Sequence, residues 1–255
     1  MSITCHDLAK MIDHSLLHPT MTDQDVTTGC ELAAHYNVAS VCLKPYSVRA
    51  ASRQLEGTDV KMGSVIGFPH GNSTMAIKVA ETHQACEDGA VEIDMVINIG
   101  KALGDDLIYV ENEIAQVQKA AASHGAIVKV IFENDFLSEK TIVELCRICS
   151  RVDVAFVKTS SGYGFVKQPD GSYAYKGATV PHLRLMRTHT DRPIQVKAAG
   201  GVRTLRDLLL VRSLGITRIG ATATATILDE AAALIEQGIN LEDLTPAIAE
   251  LSSGY

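Results

Sequence analysis

Tryptophan is absent from this chain of 255 residues, and aromatic residues make up only 5% of it. A surface that stacks nucleic-acid bases needs aromatic faces, so that class of function is disfavoured. A basic excess is missing too: 23 Lys and Arg stand against 30 Asp and Glu, for a formal net charge of −7. Duplex binders carry the opposite imbalance. No apolar run approaches the roughly 18–20 residues that span a bilayer. The stretch Met1-Ser2-Ile3-Thr4-Cys5-His6-Asp7 lacks the basic and apolar regions of a signal peptide. The expectation is a cytosolic protein with neither nucleic acid nor membrane as partner.

Metal-binding signatures are scarce as well. No His-x-His or His-Glu-x-x-His occurs, and His14 and His18 lie beside Pro19, where a helix is disfavoured. Neither a metal nor a cofactor is expected. The six cysteines are dispersed. Cys146 and Cys149 have CxxC spacing inside a helical pattern with no second pair nearby. They read as core thiols, with a zinc or redox site as the alternative.

What the chain does have is alternation. Short β-branched runs occupy residues 11–13, 40–43, 61–68, 91–97, 127–132, 152–158, 193–198 and 217–220. Between them, helical patterns cover 23–36, 73–88 (with Ser73 as N-cap), 105–123, 138–150, 204–213 and 224–236, and a last one 241–251. Alternating strands and helices imply a parallel sheet. Eight such units in about 250 residues favour a closed (β/α)8 TIM barrel, a single α/β domain over 1–255. The alternative, an open Rossmann-type sheet, predicts a glycine-rich first βα turn; here that turn reads His14-Ser15-Leu16-Leu17-His18-Pro19.

One segment breaks the rhythm. Residues 165–176 follow the sixth strand and centre on Pro169-Asp170-Gly171, which is turn chemistry between strand-forming residues. The segment reads as an inserted β-hairpin. In a barrel it stands over the active-site mouth, unless it is a surface decoration.

Charges sit where a buried strand should be apolar: Asp94 in Glu92-Ile93-Asp94-Met95-Val96, Lys129 in Ile127-Val128-Lys129-Val130-Ile131, and Lys158 and Lys197 at the ends of adjacent strands. Inward charges are costly unless paired, so a structural ion network is one reading. The other is chemical. Burial and a neighbouring ammonium both lower a lysine pKa, and a neutral lysine attacks carbonyls to form a Schiff base. Asp94 is then placed to relay protons. Two glycine turns, Gly200-Gly201 after the seventh strand and Gly220-Ala221-Thr222 after the eighth, each lead into a helix. This is where barrels often hold phosphate.

Several motifs, in order along the chain, carry a resemblance to a known family: Ile12-Asp13-His14-Ser15-Leu16-Leu17, Val41-Cys42-Leu43-Lys44-Pro45, Glu92 to Gly100, Val128 to Glu133, Phe156-Val157-Lys158-Thr159-Ser160-Ser161-Gly162 and Val196 to Arg203. Together they resemble the deoxyribose-phosphate aldolases, class I aldolases on a (β/α)8 barrel, over almost the full length. The resemblance implies reversible cleavage of 2-deoxy-D-ribose 5-phosphate to acetaldehyde and D-glyceraldehyde 3-phosphate. It makes Lys158 the Schiff-base nucleophile, Lys197 the lysine that depresses its pKa, and Asp94 the proton relay. Cys42 and Ser15 fall near the substrate, and Gly162, Gly200, Gly201, Gly220 and Thr222 line its phosphate. Tyr255, at the end of Ser252-Ser253-Gly254-Tyr255, matches a family tyrosine that folds over the site. A homodimer or larger homo-oligomer is implied.

The chain departs from the family pattern at Tyr163, where well-known members carry a phosphate-binding lysine. Lys167, Lys176 or Lys44 are candidates to compensate, Lys44 because strand alternation points it to the same side as Cys42. The departure leaves open an aldolase of the same mechanism with another, unphosphorylated acceptor. A non-catalytic phosphosugar-binding barrel is the alternative from a different class.

Overall fold

The computed structural model describes residues 2–244. In chain order its main elements are α1 (Cys5–Ala9), β1 (Ile12–Leu16), α2 (Asp23–His35), β2 (Ser40–Leu43), α3 (Val48–Gln54), β3 (Lys61–Ile66), α4 (Met75–Glu87), β4 (Glu92–Val96), α5 (Ile99–Leu103) and α6 (Leu107–Ala122). There follow β5 (Ile127–Ile131), α7 (Glu139–Val152), β6 (Phe156–Lys158), β7 (Val166–Lys167), β8 (Tyr173–Ala174), α8 (Val180–His189), β9 (Gln195–Ala199), α9 (Leu205–Ser213), β10 (Arg218–Ala221) and α10 (Thr224–Glu236). The parallel strands close in the order β1-β10-β9-β6-β5-β4-β3-β2. The closing pair is Ile12 with Ile219. This is the (β/α)8 barrel that the alternation implies, in one domain.

Local chemistry sets most helix starts. Thr22 and Thr204 each close a capping box, with Asp25 and Asp207 at the third helical position. Ser138 caps α7, as its position predicts. The cap of α4 is Thr74 rather than Ser73. The sixth strand is shorter than 152–158, because α7 continues to Val152 and Asp153 closes it in the left-handed region at φ 59°. The seventh strand extends to Ala199, so Lys197 is central in it rather than terminal. α3, which carries no strong apolar periodicity, is an element that sequence pattern did not reveal. Of the expected helix 241–251, Leu241–Leu244 form a 3-10 turn and the rest lies outside the described residues.

Strand alternation explains why charge ends up inside. Along β4, Ile93 and Met95 face outward into the helix-facing core, while Glu92 and Asp94 face the opposite way, into the barrel. β5 repeats this, with Val128 and Val130 outward and Lys129 inward. Barrel interiors are usually filled by branched apolar side chains. Here they are filled by ion pairs.

Candidate active site

Four cations and three carboxylates share the barrel interior. At its base, Lys129 Nζ lies 2.7 Å from Asp13 Oδ2 and 2.5 Å from Glu92 Oε2. Arg218 Nη1 reaches Asp13 Oδ1 at 2.5 Å and Glu92 Oε2 at 3.2 Å. One layer higher, Lys197 Nζ meets Asp13 Oδ2 at 2.5 Å and Asp94 Oδ2 at 2.8 Å. At the top, Lys158 Nζ meets the same Asp94 oxygen at 2.7 Å. Lys129 completes the link with an ion pair of 3.2 Å to Asp94 Oδ1.

The electrostatics sort the three lysines. Burial lowers the pKa of Lys158, Lys197 lowers it further, and Asp94 opposes without overcoming them. Burial also acts against the charge of Lys197, but Asp13 and Asp94 outweigh it and the pKa is raised. Lys129 is held well above the usual lysine range, because Asp13, Asp94 and Glu92 together exceed its burial. Asp94 is itself held well below the carboxylate range: burial would raise it, and the three lysines prevail. With every group ionised the cluster carries one excess positive charge. Loss of one proton from Lys158 leaves three cations against three anions.

Lys158 forms part of the floor of a cavity of about 670 Å3. Ser15, Gly162, Tyr163, Gly200, Gly201, Gly220 and Thr222, all singled out in the sequence, also line it. Gly200 and Gly201 sit at φ 79° and 89°, a region that side-chain-bearing residues rarely adopt. The space where a Cβ of Gly200 would lie is bounded by Tyr175 at 3.0 Å. Beyond Thr222, the N-cap of α10 is Ala223, which supplies no side-chain hydrogen bond, so no cap competes with a ligand for the first-turn amides. At α9, by contrast, the Asp207 carboxylate already accepts from Arg203 N and Thr204 N, both at 3.1 Å.

The inserted segment is an antiparallel hairpin, Val166 opposite Ala174 and Lys167 opposite Tyr173. Phe165 and Tyr175, at its two ends, line the cavity with their rings edge-to-face at 5.4 Å. The hairpin therefore frames the mouth.

Other expected site residues lie elsewhere. Lys129 is one layer below, spent on carboxylates, and does not line the cavity. Lys197 and Asp94 likewise do not line the cavity, and Asp94 joins them to Lys158 on its floor. Cys42 is buried behind them, its Sγ 3.8 Å from Asp94 Oδ2, and burial raises its pKa to about 11. The alternation that would aim Lys44 inward ends at Leu43, where β2 gives way to a 3-10 turn at Pro45–Ser47. The Lys44 ammonium instead donates to the carbonyls of His18 and Met21, both at 3.1 Å. It lines an adjoining pocket of about 290 Å3. Lys167 and Lys176 are exposed and line neither cavity. Cys146 and Cys149 are buried core thiols with raised pKa values. Tyr255 lies outside the described residues.

Sequence reasoning assigned no role to Arg203 or His18, and both line the cavity. It also passed over Glu133, a buried residue just past the end of β5. Its position was a usable signal, because barrel active sites gather at the C-terminal ends of strands.

Comparison with known proteins agrees with the fold. The model of the DeoC/LacD family of aldolases matches residues 8–224. The deoxyribose-phosphate aldolase of Rhodopirellula baltica is 49% identical over 226 residues, 89% of this chain and 90% of that protein. The one from Treponema denticola is 41% identical over 221 residues, 87% of this chain and 98% of its own. The tetrameric deoxyribose phosphate aldolase structure from Aeropyrum pernix superposes with a TM-score of 0.80 at 31% identity, covering 91% of this chain and 93% of that one. A family model over residues 8–224, relatives up to 49% identical over most of the chain and a shared barrel fold have a plain reading: the chain belongs to the DeoC/LacD family of aldolases.

Proposed function

We propose that the protein is a class I aldolase that cleaves 2-deoxy-D-ribose 5-phosphate reversibly to acetaldehyde and D-glyceraldehyde 3-phosphate. The observation that carries this is the position of Lys158. Its ammonium is on the cavity floor, buried, and lowered in pKa by burial and by Lys197, while Lys197 itself is kept charged by two carboxylates.

Neutral Lys158 attacks the C1 aldehyde of the open-chain sugar, and loss of water gives an iminium. A base takes the C3 hydroxyl proton as the C2–C3 bond breaks. The bonding pair moves into the C1–C2 enamine, and C3 to C5 leave as glyceraldehyde 3-phosphate. The enamine is protonated at C2, and water returns Lys158 and releases C1 and C2 as acetaldehyde. No electron is gained or lost overall. Asp94, 2.7 Å from Lys158 Nζ, relays these protons. Gly162, Gly200, Gly201, Gly220 and Thr222 hold the phosphate with Tyr163 beside them, and Ser15 faces the sugar. Tyr255 joins the proton relay at C2.

The test is borohydride reduction in the presence of acetaldehyde, followed by peptide mapping. An ethyl adduct on Lys158 is expected, and its absence from that peptide overturns the reading. Tyr163 favours a second reading, in which the acceptor is unphosphorylated. Rates with glyceraldehyde and with its 3-phosphate separate the two.

The same proposal takes 1–255 as one catalytic domain, acting in the cytosol as a homo-oligomer. It is supported by the tetrameric Aeropyrum pernix relative. No helix among the described residues is long and apolar enough to cross a membrane. Sedimentation and cell fractionation test these points.

A further inference from the structure

Glu133 is a buried carboxyl that the proposed mechanism leaves unused. It is 1% exposed and follows β5 in the left-handed region at φ 61°. A residue other than glycine is rarely found there unless its surroundings hold it. The surroundings are the loop that leaves Lys158. Ser161 N donates to Glu133 Oε1 at 3.1 Å and to Oε2 at 3.3 Å, and Ser161 Oγ donates to Oε2. Ser161 Oγ in turn accepts from Tyr163 N at 3.0 Å. Gly164 lies against the same carboxyl, for a Cβ there would come within 2.5 Å of Glu133 Cδ. Asn134 N donates to Thr159 O at 2.9 Å, which fixes the start of the loop. One side chain thus holds a segment whose Ser161, Gly162 and Tyr163 all face the cavity.

We propose that Glu133 is a positioning residue for substrate binding: its buried carboxylate anchors the 159–164 loop in the shape that receives the phosphorylated end of the substrate. It acts through Ser161 and touches no reacting atom. The inference rests on the aldolase reading above and adds to it a residue that governs affinity rather than Schiff-base formation.

The anchor is also poised to change with pH. Burial raises the Glu133 pKa to about 7. The Ser161 hydrogen bonds oppose this, Asp135 on the same turn reinforces it, and Lys158 on β6 opposes it. An ionised carboxylate accepts stronger hydrogen bonds than a protonated one. The loop is therefore held more firmly above neutrality.

Wild type, Glu133→Ala and Glu133→Gln decide the matter. Both replacements carry a Cβ, so the left-handed backbone strain stays and only the carboxylate changes. Trapping of acetaldehyde on Lys158 is expected in all three proteins. Glu133→Ala should raise KM for deoxyribose 5-phosphate about tenfold with kcat little altered. For wild type relative to Glu133→Gln, KM should fall between pH 6 and pH 8; ionisation of the substrate phosphate cancels in that ratio. A flat ratio, or an unchanged KM in Glu133→Ala with only a lower melting temperature, overturns the proposal. So does loss of trapping in a folded variant, which would put Glu133 in the chemistry itself. If Glu133→Ala does not fold, the pH ratio from Glu133→Gln decides alone. Absence of the adduct from wild type is a different result, and it removes the aldolase reading first.

Discussion

Lys158 and Lys197 donate to one and the same oxygen, Asp94 Oδ2, at 2.7 and 2.8 Å. They are register partners on neighbouring strands β6 and β9. Among the described residues, Lys197 alone of the two has a second carboxylate, Asp13, on its ammonium. Two lysines in nearly equivalent positions are thereby driven in opposite directions, one towards the free amine and one towards the permanent cation. Adjacent titratable groups pushed apart in this way mark an acid–base assignment.

Lys197→Met removes the ammonium that helps depress the pKa of Lys158, and leaves Asp94 to raise it. The acid limb of the pH profile of kcat/KM should move to higher pH. For every pH unit the limb moves, the free-amine fraction at pH 7 falls about tenfold. Lys158→Met should lose turnover by orders of magnitude, with no borohydride adduct. An unmoved acid limb in Lys197→Met would show that Lys197 does not tune Lys158.

Asp94→Asn withdraws the carboxylate paired with Lys158 and, among the described residues, one of two on Lys197. Removing one partner from a buried ion cluster typically costs about 3–5 kcal/mol. Urea unfolding should show a loss of that order, with slowed enamine protonation. Near-wild-type stability would contradict the charge balance described for the barrel interior.

Gly200→Ala places a Cβ at φ 79° within 3.1 Å of Gly177 Cα and 3.0 Å of the Tyr175 ring. The turn should shift, and with it the end of the cavity proposed to hold the phosphate. KM for deoxyribose 5-phosphate is expected to rise about tenfold, while rates with unphosphorylated glyceraldehyde as acceptor change less. Equal losses with both acceptors would remove this turn from phosphate binding.

His14 and Glu133 give opposite slopes of stability against pH. Burial lowers the His14 pKa from 6.5 to about 4, so below 6.5 the unfolded chain holds a proton the folded one lacks, and stability rises with pH. Burial raises Glu133 from 4.5 to about 7, so above 4.5 the folded chain holds the extra proton, and stability falls as pH rises. Between pH 4.5 and 6.5 the two offset. Chemical denaturation in that window should find stability falling with pH in His14→Gln and rising in Glu133→Gln, each by up to about 1.4 kcal/mol per pH unit. The same slope in both variants would refute the assignment.

Much of this was legible in the sequence because it is local. Period-two alternation put Asp94 and Lys129 on one face of their strands, and the glycines singled out near the ends of β9 and β10, Gly200, Gly201 and Gly220, line the cavity. The start of α7 at Ser138 was equally local, a cap within three residues of the amide it serves. Lys44 shows where local reasoning ends. It obeys the alternation rule on paper, but its strand stops one residue earlier and two backbone carbonyls from another loop take its ammonium.

The sequence by itself thus determined the barrel and the inward-facing charges, since both follow from patterns a few residues long. Which lysine has its pKa lowered and which has it raised was decided only by tertiary structure. The partners that decide it are far away in the chain: Asp94 is 64 residues from Lys158 and 103 from Lys197, and Asp13 is 116 from Lys129. A pKa depends on charges within a few ångströms of the group and on its burial. Those are properties of the closed barrel, and no segment of the chain carries them alone.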